Sequence, residues 1–520
     1  MLPHISPCER VHADTQPWCV LSDGQLVCRQ TAQVRDGAVY FAFTKIGKYM
    51  LGPPEELWVM KSPNMLTAAD AADITWELLP EGDVGITPPG GHRPNEPNLE
   101  EAHVLPLTGV GAPGFYIAGR STLGWLVASS TADATARQGW SPAAFAQYYD
   151  PATSSGGDLA PLRTSTTAFG GARAGVKNPR GPVTLKRFDG PSGAAPGRGA
   201  YLLLFFNNNA KSYLSRNPYW LAAGHEVPGT AGAPPTVLFS QPEIALYDGN
   251  DHTDRPGYPD FIAHSTNTTA AGQGDWDVYI TETQKTAARI HKVDRALLRG
   301  LFGQRTVRTA AEGAAASLGP GGVGPQGSIP TPAFPAFDHG PGAAGLGFAF
   351  SLVLHGHHLS KPGQAIVSSE PAATATATTA AAGGVALVTG PAAGGQVTLR
   401  FGDGARSFNI STDAACSAVL GTTGAHFLGA VADGGPQIAT LMVDGVLCDG
   451  AGLADYGWAW FPAMGAVRGA ESMRVGQGYG GAVAAGLVYT RMLTTSEQVG
   501  NSRALVSRAR TSAASGALGV

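Results

Sequence analysis

The sequence is poor in charged residues and has no long hydrophobic run. Asp, Glu, Lys and Arg make up 14% of its 520 residues, against about 25% in typical soluble domains. The formal net charge is −4, so the chain has no basic excess for a phosphate backbone and we expect no nucleic-acid partner. No run of about 18 apolar residues occurs, so we expect no membrane-spanning helix.

Cysteine is scarce as well. Five cysteines are too few for a disulfide scaffold, and no CxxC pair indicates zinc, so we expect neither a metal nor another cofactor. Cys416 and Cys448 could pair with each other or remain two buried thiols. The first residues, MLPHISPCERVHADTQ, lack the basic-then-apolar pattern of a signal peptide.

Glycine and proline are abundant, at 71 and 38 residues, which favours many short strands joined by turns. The length exceeds one ordinary core and predicts two domains. Seven short apolar runs are predicted as strands: AVYFAF (from Ala38), LWVMKS (from Leu57), AHVLPL (from Ala102), FYIAGR (from Phe115), WLVASS (from Trp125), YLLLFFN (from Tyr201) and DVYITE (from Asp277). In this first block, KTAARIHKVDRALLRGLF (Lys285 to Phe302) alone has clear helical spacing.

The stretch from Arg308 to Gly345 is rich in Gly, Pro and Ala and has almost no periodicity, a composition typical of a flexible linker. We therefore predict a first β-rich domain over 20–304, a linker over 305–345 and a second β-rich domain over 346–505.

Several fragments of the first block follow one another in a recognisable order. RQTAQV begins at Arg29 and is followed by AVYFAF; EAHVLPL begins at Glu101, and FYIAGR ends at Arg120. SRNPYWL contains Arg216, and GYPDFI with VYITE contributes Tyr258 and Glu282. In this order the fragments resemble those of the sialidases, which are six-bladed β-propeller glycosidases.

The resemblance implies a set of roles. Arg29, Arg120 and Arg216 would converge on a substrate carboxylate, because a guanidinium pairs with both carboxylate oxygens. Tyr258 would be the nucleophile, and Glu101 would take its proton.

Two further carboxylates complete the expected site. Glu282 would contact the substrate. The loop KYMLGPPEELW supplies Glu56, our first choice for the acid that protonates the leaving oxygen, and Glu55, our second.

The last block carries a second resemblance. AHFLGAVADGGPQIATLMVDGVLCD (Ala425 to Asp449) and GLVYTRMLTTSEQVGN (Gly486 to Asn501) resemble strands of laminin-G or concanavalin-like jelly rolls. The expected fold is therefore all-β, a six-bladed propeller followed by a β-sandwich. Such a sandwich implies glycan binding or a structural role.

The function expected from the resemblance is an exo-glycosidase that removes a terminal acidic sugar with retention of configuration. A non-catalytic glycan-binding propeller is the alternative, and a propeller polysaccharide lyase using His264 or Tyr258 as base is a third. The resemblance favours an extracellular protein with a glycan partner. The sequence leaves its location and oligomeric state open.

Overall fold

The structure is a computed structural model. It describes residues 19–22, 25–28, 32–48, 52–82, 85–87, 99–108, 113–121, 125–154, 159–162, 175–176, 183–188, 200–206, 217–229, 232–247, 258–265, 276–284, 287–318, 327–338, 346–355, 359, 361–371, 383–390, 395–448, 458–476 and 478–514. The chain forms two compact units. The first comprises Met1–Tyr149, Gly157–Leu246 and Arg255–Phe302, and the second comprises Asp150–Gly156, Tyr247–Asp254 and Gly303–Val520.

The first unit is built almost entirely from β-strands, with a 3-10 helix (Ala71–Asp73) and helix α1 (Arg295–Gly303). Its strands are β1 (Cys19–Ser22), β2 (Gln25–Cys28), β3 (Gln33–Arg35), β4 (Ala38–Lys48), β5 (Gly52–Ser62), β6 (Glu77–Leu79), β7 (Leu99–Leu107), β8 (Gly114–Ser121), β9 (Leu126–Thr131), β10 (Ala144–Phe145), β11 (Gln147–Tyr148), β12 (Thr184–Phe188), β13 (Ala200–Phe206), β14 (Tyr219–Val227), β15 (Thr236–Phe239), β16 (Glu243–Leu246), β17 (Asp260–Ser265), β18 (Trp276–Gln284) and β19 (Ala287–Lys292). Each of the seven predicted apolar runs coincides with one of these strands.

Most strands of the first unit pair with a strand that is next to them along the chain. Strands β3 to β6 and β7 to β10 form two four-stranded antiparallel meanders, and β17 to β19 form a third sheet. A six-stranded sheet contains β12 to β16, with β11 parallel to β15, and β1 pairs with β2. Four-stranded meanders are the blade unit of β-propellers. The described residues hold five sheets in this unit, so the number of six blades stays a prediction.

The described residues of the second unit form fifteen strands and two helices. They are β20 (Ala316–Leu318), β21 (Gly327–Pro330), β22 (Ala336–Phe337), β23 (Leu346–His355), β24 (Ala365–Ser368), β25 (Gly384–Thr389), β26 (Val397–Gly402), β27 (Ser407–Ser411), α2 (Ala414–Leu420), β28 (Ala425–Asp433), β29 (Ile438–Val443), β30 (Val446–Leu447), β31 (Trp458–Trp460), β32 (Met464–Ala466), β33 (Ser472–Val475), β34 (Ala482–Arg491) and α3 (Thr495–Ala514).

Two antiparallel sheets of the second unit share one hydrophobic core. The seven-stranded sheet has the order β20-β34-β23-β28-β29-β30, with β31 beside β29, and the six-stranded sheet has the order β21-β33-β24-β25-β26-β27. Leu352 and Leu428 from the first sheet and Leu387 and Leu399 from the second are fully buried in the same cluster. Two sheets packed on a common core form a β-sandwich.

The described residues of the predicted linker 305–345 include three paired strands. Its strand β20 pairs with β34, β21 with β33 and β22 with β32. These strands are two to four residues long, so they leave hardly any periodicity in a sequence dominated by Gly, Pro and Ala. The longest segment of the second compact unit accordingly begins at Gly303.

The segment Lys285 to Phe302, predicted as a helix, contains a strand in its first half and a helix in its second. Ala287–Lys292 is strand β19, which pairs along its whole length with β18, and the helix begins only at Arg295. Pairing with β18 satisfies the backbone of this segment and outweighs its helical spacing. Among the described residues, no helix has both the length and the apolar character that a membrane span needs.

Cys416 and Cys448 form a disulfide. Both are buried, and they lie 32 positions apart in the sequence. A cross-link that closes a loop of this size stabilises a fold by about 3–4 kcal/mol, chiefly by restricting the unfolded chain. We expect the double variant Cys416→Ser/Cys448→Ser to lose about that much unfolding free energy in the second unit, measured by urea denaturation. Unchanged unfolding of the wild-type protein in excess reductant, with both thiols shown to be free, would contradict this.

Candidate active site

A strained ion pair lies at one end of the sheet formed by β7 to β10. The pairing of β7 with β8 shifts register between Glu100 and His103, and Glu101 within this bulge has a φ of 53°. A non-glycine residue adopts this left-handed conformation only where its surroundings enforce it. Arg120 is the partner, with its Nε 3.0 Å from Glu101 Oε2.

The two side chains are almost withdrawn from water, with 7% of Glu101 and 14% of Arg120 exposed. A charge-assisted contact in such surroundings has a defined geometry. It fixes the Arg120 guanidinium at the end of β8. The structure thus brings together two of the predicted site residues.

His103 follows Glu101 on β7 and is buried. Its Nε2 lies 2.7 Å from the backbone oxygen of Val183, and because a carbonyl only accepts, Nε2 carries the proton. Burial lowers the pKa of His103 from 6.5 to about 4, so the imidazole is neutral at pH 7. It anchors β7 to the residue before β12.

Because its pKa is lowered, His103 should make the stability of the first unit sensitive to acid. Since the folded pKa is below the unfolded one, His103 contributes full stability above pH 6.5, and this is lost as the pH falls towards 4. Between pH 7 and 5 the loss is about 2 kcal/mol. We expect His103→Gln to remove that part of the pH dependence of the unfolding free energy. Hydrogen exchange of the backbone amides in β7 and β8, measured at several pH values, checks this.

Asp433 in the second unit serves as a control, because its effect on stability should change with pH in the opposite direction. Burial raises its pKa to about 6, although the Gly435 N–H opposes the shift, so protonation below pH 6 favours the folded state. Asp433→Asn should therefore remove a gain of about 1 kcal/mol between pH 7 and 5. Equal pH slopes for the His103→Gln variant and the wild type would contradict the role of His103.

Tyr258 lies two residues before the start of β17, and 48% of it is exposed. The backbone beside it is fixed, because Thr184 Oγ1 donates to the oxygen of Pro259 at 2.6 Å. An exposed phenol on a fixed backbone is accessible to a ligand.

Glu282 lies one strand away from this segment. Asp260 pairs with Thr281, so the register places Glu282 opposite Pro259. Its side chain is 3% exposed, and its Oε1 lies 2.9 Å from Nε2 of His291 and 3.7 Å from Nη1 of Arg289. Glu282 is therefore held by two groups of β19.

Glu56 is half-buried on β5. The indole N–H of the fully buried Trp58 donates to its Oε2 at 2.9 Å. Arg29 and Arg216 lie outside the described residues, as does the side chain of Glu55. The convergence of three arginines on one carboxylate thus stays a prediction.

A buried tyrosine–glutamate contact was not predicted from the sequence. Tyr201 donates through its hydroxyl to Glu226 Oε1, which also accepts from the Thr108 backbone N–H at 2.7 Å and the Thr108 hydroxyl at 2.8 Å. Tyr201 and Glu226 are fully buried, so the cluster ties the residue after β7 to β13 and β14. A glutamate inside the apolar strand YWLAAGHEV was the available signal.

Comparison with known proteins leaves the family open. No protein-family model matches the chain, and no curated protein matches it. Among solved structures it is similar to Trypanosoma rangeli sialidase in complex with 2,3-difluorosialic acid, at 11% identity over 94% of this chain and 84% of that one, with a TM-score of 0.30.

Two other solved structures match parts of the chain. The CBM40 module of a Ruminococcus gnavus sialidase, bound to α2,6-sialyllactose, is 14% identical over 36% of this chain and 100% of that one, with a TM-score of 0.24. Domains LG4-5 of the mouse laminin α1 chain are 10% identical over 78% of this chain and 83% of that one, with a TM-score of 0.20. At such TM-scores these likenesses carry no argument about fold or activity.

Proposed function

We propose that the first unit is an exo-glycosidase that removes a terminal acidic sugar, sialic acid or a related ulosonic acid, with retention of configuration. The ion pair of Glu101 with Arg120 on a strained bulge is the observation that supports this most. Such strain is typical of functional sites, and the fixed guanidinium suits a sugar carboxylate.

The proposed binding step uses arginine. Arg120, with Arg29 and Arg216, would pair with the carboxylate at the anomeric carbon of the sugar. Glu282, positioned by His291 and Arg289, would accept hydrogen bonds from sugar hydroxyls.

The proposed chemical steps use Tyr258, Glu101 and Glu56. A neutral phenol avoids repulsion by the substrate carboxylate, but its pKa of about 10 requires a base. Tyr258 oxygen would attack the anomeric carbon while its proton passes to Glu101, and Glu56 would protonate the departing oxygen. Water, deprotonated by Glu56, would then release the sugar from Tyr258, which regains its proton.

The direct test is turnover by the full chain. We expect nitrophenol release from an aryl glycoside of sialic acid or of its deaminated relative, and proton NMR should show a first product of retained configuration. No release from these substrates or from an aryl uronide would contradict hydrolysis. Binding without release would favour the glycan-binding alternative, and an unsaturated uronide product would favour the lyase.

A further inference from the structure

The six-stranded sheet of the sandwich carries two arginines on the face turned away from the core. In the strand register Arg474 pairs with Ser368, Ser368 with Ala386, Ala386 with Arg400, and Arg400 with Asn409. Directly opposite residues of paired strands share one face. We call these five residues the arginine row.

The opposite face of the same strands is the core side. Val367, Leu387, Leu399 and Ile410 form the adjacent row of the register, and all belong to the core cluster shared by the two sheets. Side chains alternate between faces along a strand, so the arginine row lies on the outer face.

The two guanidinium groups converge on Glu370, which follows β24. Arg400 Nη2 forms an ion pair with Glu370 Oε2, and Arg474 Nη2 donates to the backbone oxygen of Glu370 at 2.7 Å. Two strands lie between β26 and β33 in the sheet. Both arginines therefore reach the same residue from strands that are not adjacent.

The charges at this point do not balance. Among the described residues Arg474 has no carboxylate partner, and the buried Nε of Arg400 has no hydrogen-bond partner. The cluster thus has two cations, one anion and unused guanidinium donors. Glu370 is 2% exposed and Ser368 1%, and an unbalanced charge with limited solvation favours binding of an anion.

Neutral polar groups flank the charged centre on the same face. Thr398 and Ser411 pair across β26 and β27, with their hydroxyl oxygens 2.8 Å apart, and Asn409 is exposed beside them. Hydroxyls and an amide both donate and accept, as sugar hydroxyls require. We propose that the arginine row binds the carboxylate of an acidic sugar through Arg474 and Arg400, at a site independent of the hydrolytic site of the first unit.

The test is hydrogen exchange of the full chain with N-acetylneuraminic acid or glucuronic acid added. Local protection separates this site from any other that binds the same sugar. We expect exchange in 365–371, 397–402 and 472–475 to slow at least twofold with either acid, but not with N-acetylglucosamine. Arg474→Gln should raise the half-saturating concentration at least tenfold, whereas Arg406→Gln, at an exposed arginine on the turn after β26, should not change it.

Glu370→Gln provides the sharper variant. Removing the internal carboxylate frees Arg400, so we expect the half-saturating concentration to fall at least threefold. A purely structural ion pair would give no such gain. If Arg474→Gln unfolds, Arg474→Lys, which keeps the charge but loses the planar fork, should weaken binding instead. Absence of protection in these segments overturns the proposal, and equal protection by acetate overturns its assignment to a sugar.

Discussion

Tyr258→Phe is expected to lower turnover of an aryl sialoside by at least about a thousandfold, because the variant lacks the oxygen that would attack the anomeric carbon. Nearly half of the Tyr258 surface is exposed, so we expect the variant to keep the fold of the first unit. Binding of a non-hydrolysable thiosialoside, measured by calorimetry, should stay within about threefold of wild type, because the carboxylate is assigned to arginines.

Tyr279→Phe is the matched control. Tyr279 lies on β18 in the same three-stranded sheet, and the same single oxygen is removed. We expect it to keep wild-type turnover. If Tyr258→Phe retains more than a tenth of the activity, or loses affinity and turnover together, Tyr258 is not the nucleophile.

Arg120→Met is expected to lower the unfolding free energy of the first unit by about 3–5 kcal/mol, the usual cost of removing one partner of a buried ion pair. The carboxylate of Glu101 would lose its 3.0 Å contact while its backbone remains in the left-handed conformation. Urea denaturation, monitored by hydrogen exchange of β7 and β8, measures this unit separately from the sandwich.

The double variant Glu101→Gln/Arg120→Met tests the same pair. Because it removes both charges, it should recover at least half of the stability lost in Arg120→Met. Additive losses for Glu101→Gln and Arg120→Met would show that the two side chains are not energetically coupled, and the site would lose its best-supported element.

The strands could be predicted because a buried strand requires a short run of apolar residues in the sequence. FYIAGR and YLLLFFN are apolar runs bounded by turn residues, and both became buried strands. No such local pattern indicates the number of blades, because this number depends on how separate sheets assemble.

The site was predictable only in part. Glu101 and Arg120 were selected by their order in the chain, and strand pairing brings them together. The bulge that turns Glu101 towards Arg120 could not be read from EAHVLPL, since a register shift is decided by both strands. Glu370 and Arg400 are likewise brought together by strand pairing within one sheet. No sequence motif links these two residues.

The second unit is assembled from three separate stretches of chain, and this limits how it can be cut out. Arg503 on α3 donates from Nε to the oxygen of Pro151 at 2.7 Å, and Pro151 belongs to the short segment Asp150–Gly156. A fragment that starts at Gly303 would lack this acceptor, and one that starts at 346 would also expose the edges of β33 and β34 to aggregation. During synthesis on the ribosome, the segment Asp150–Gly156 is therefore made long before α3. Its contact with Arg503 can form only after the C-terminal helix has been synthesised.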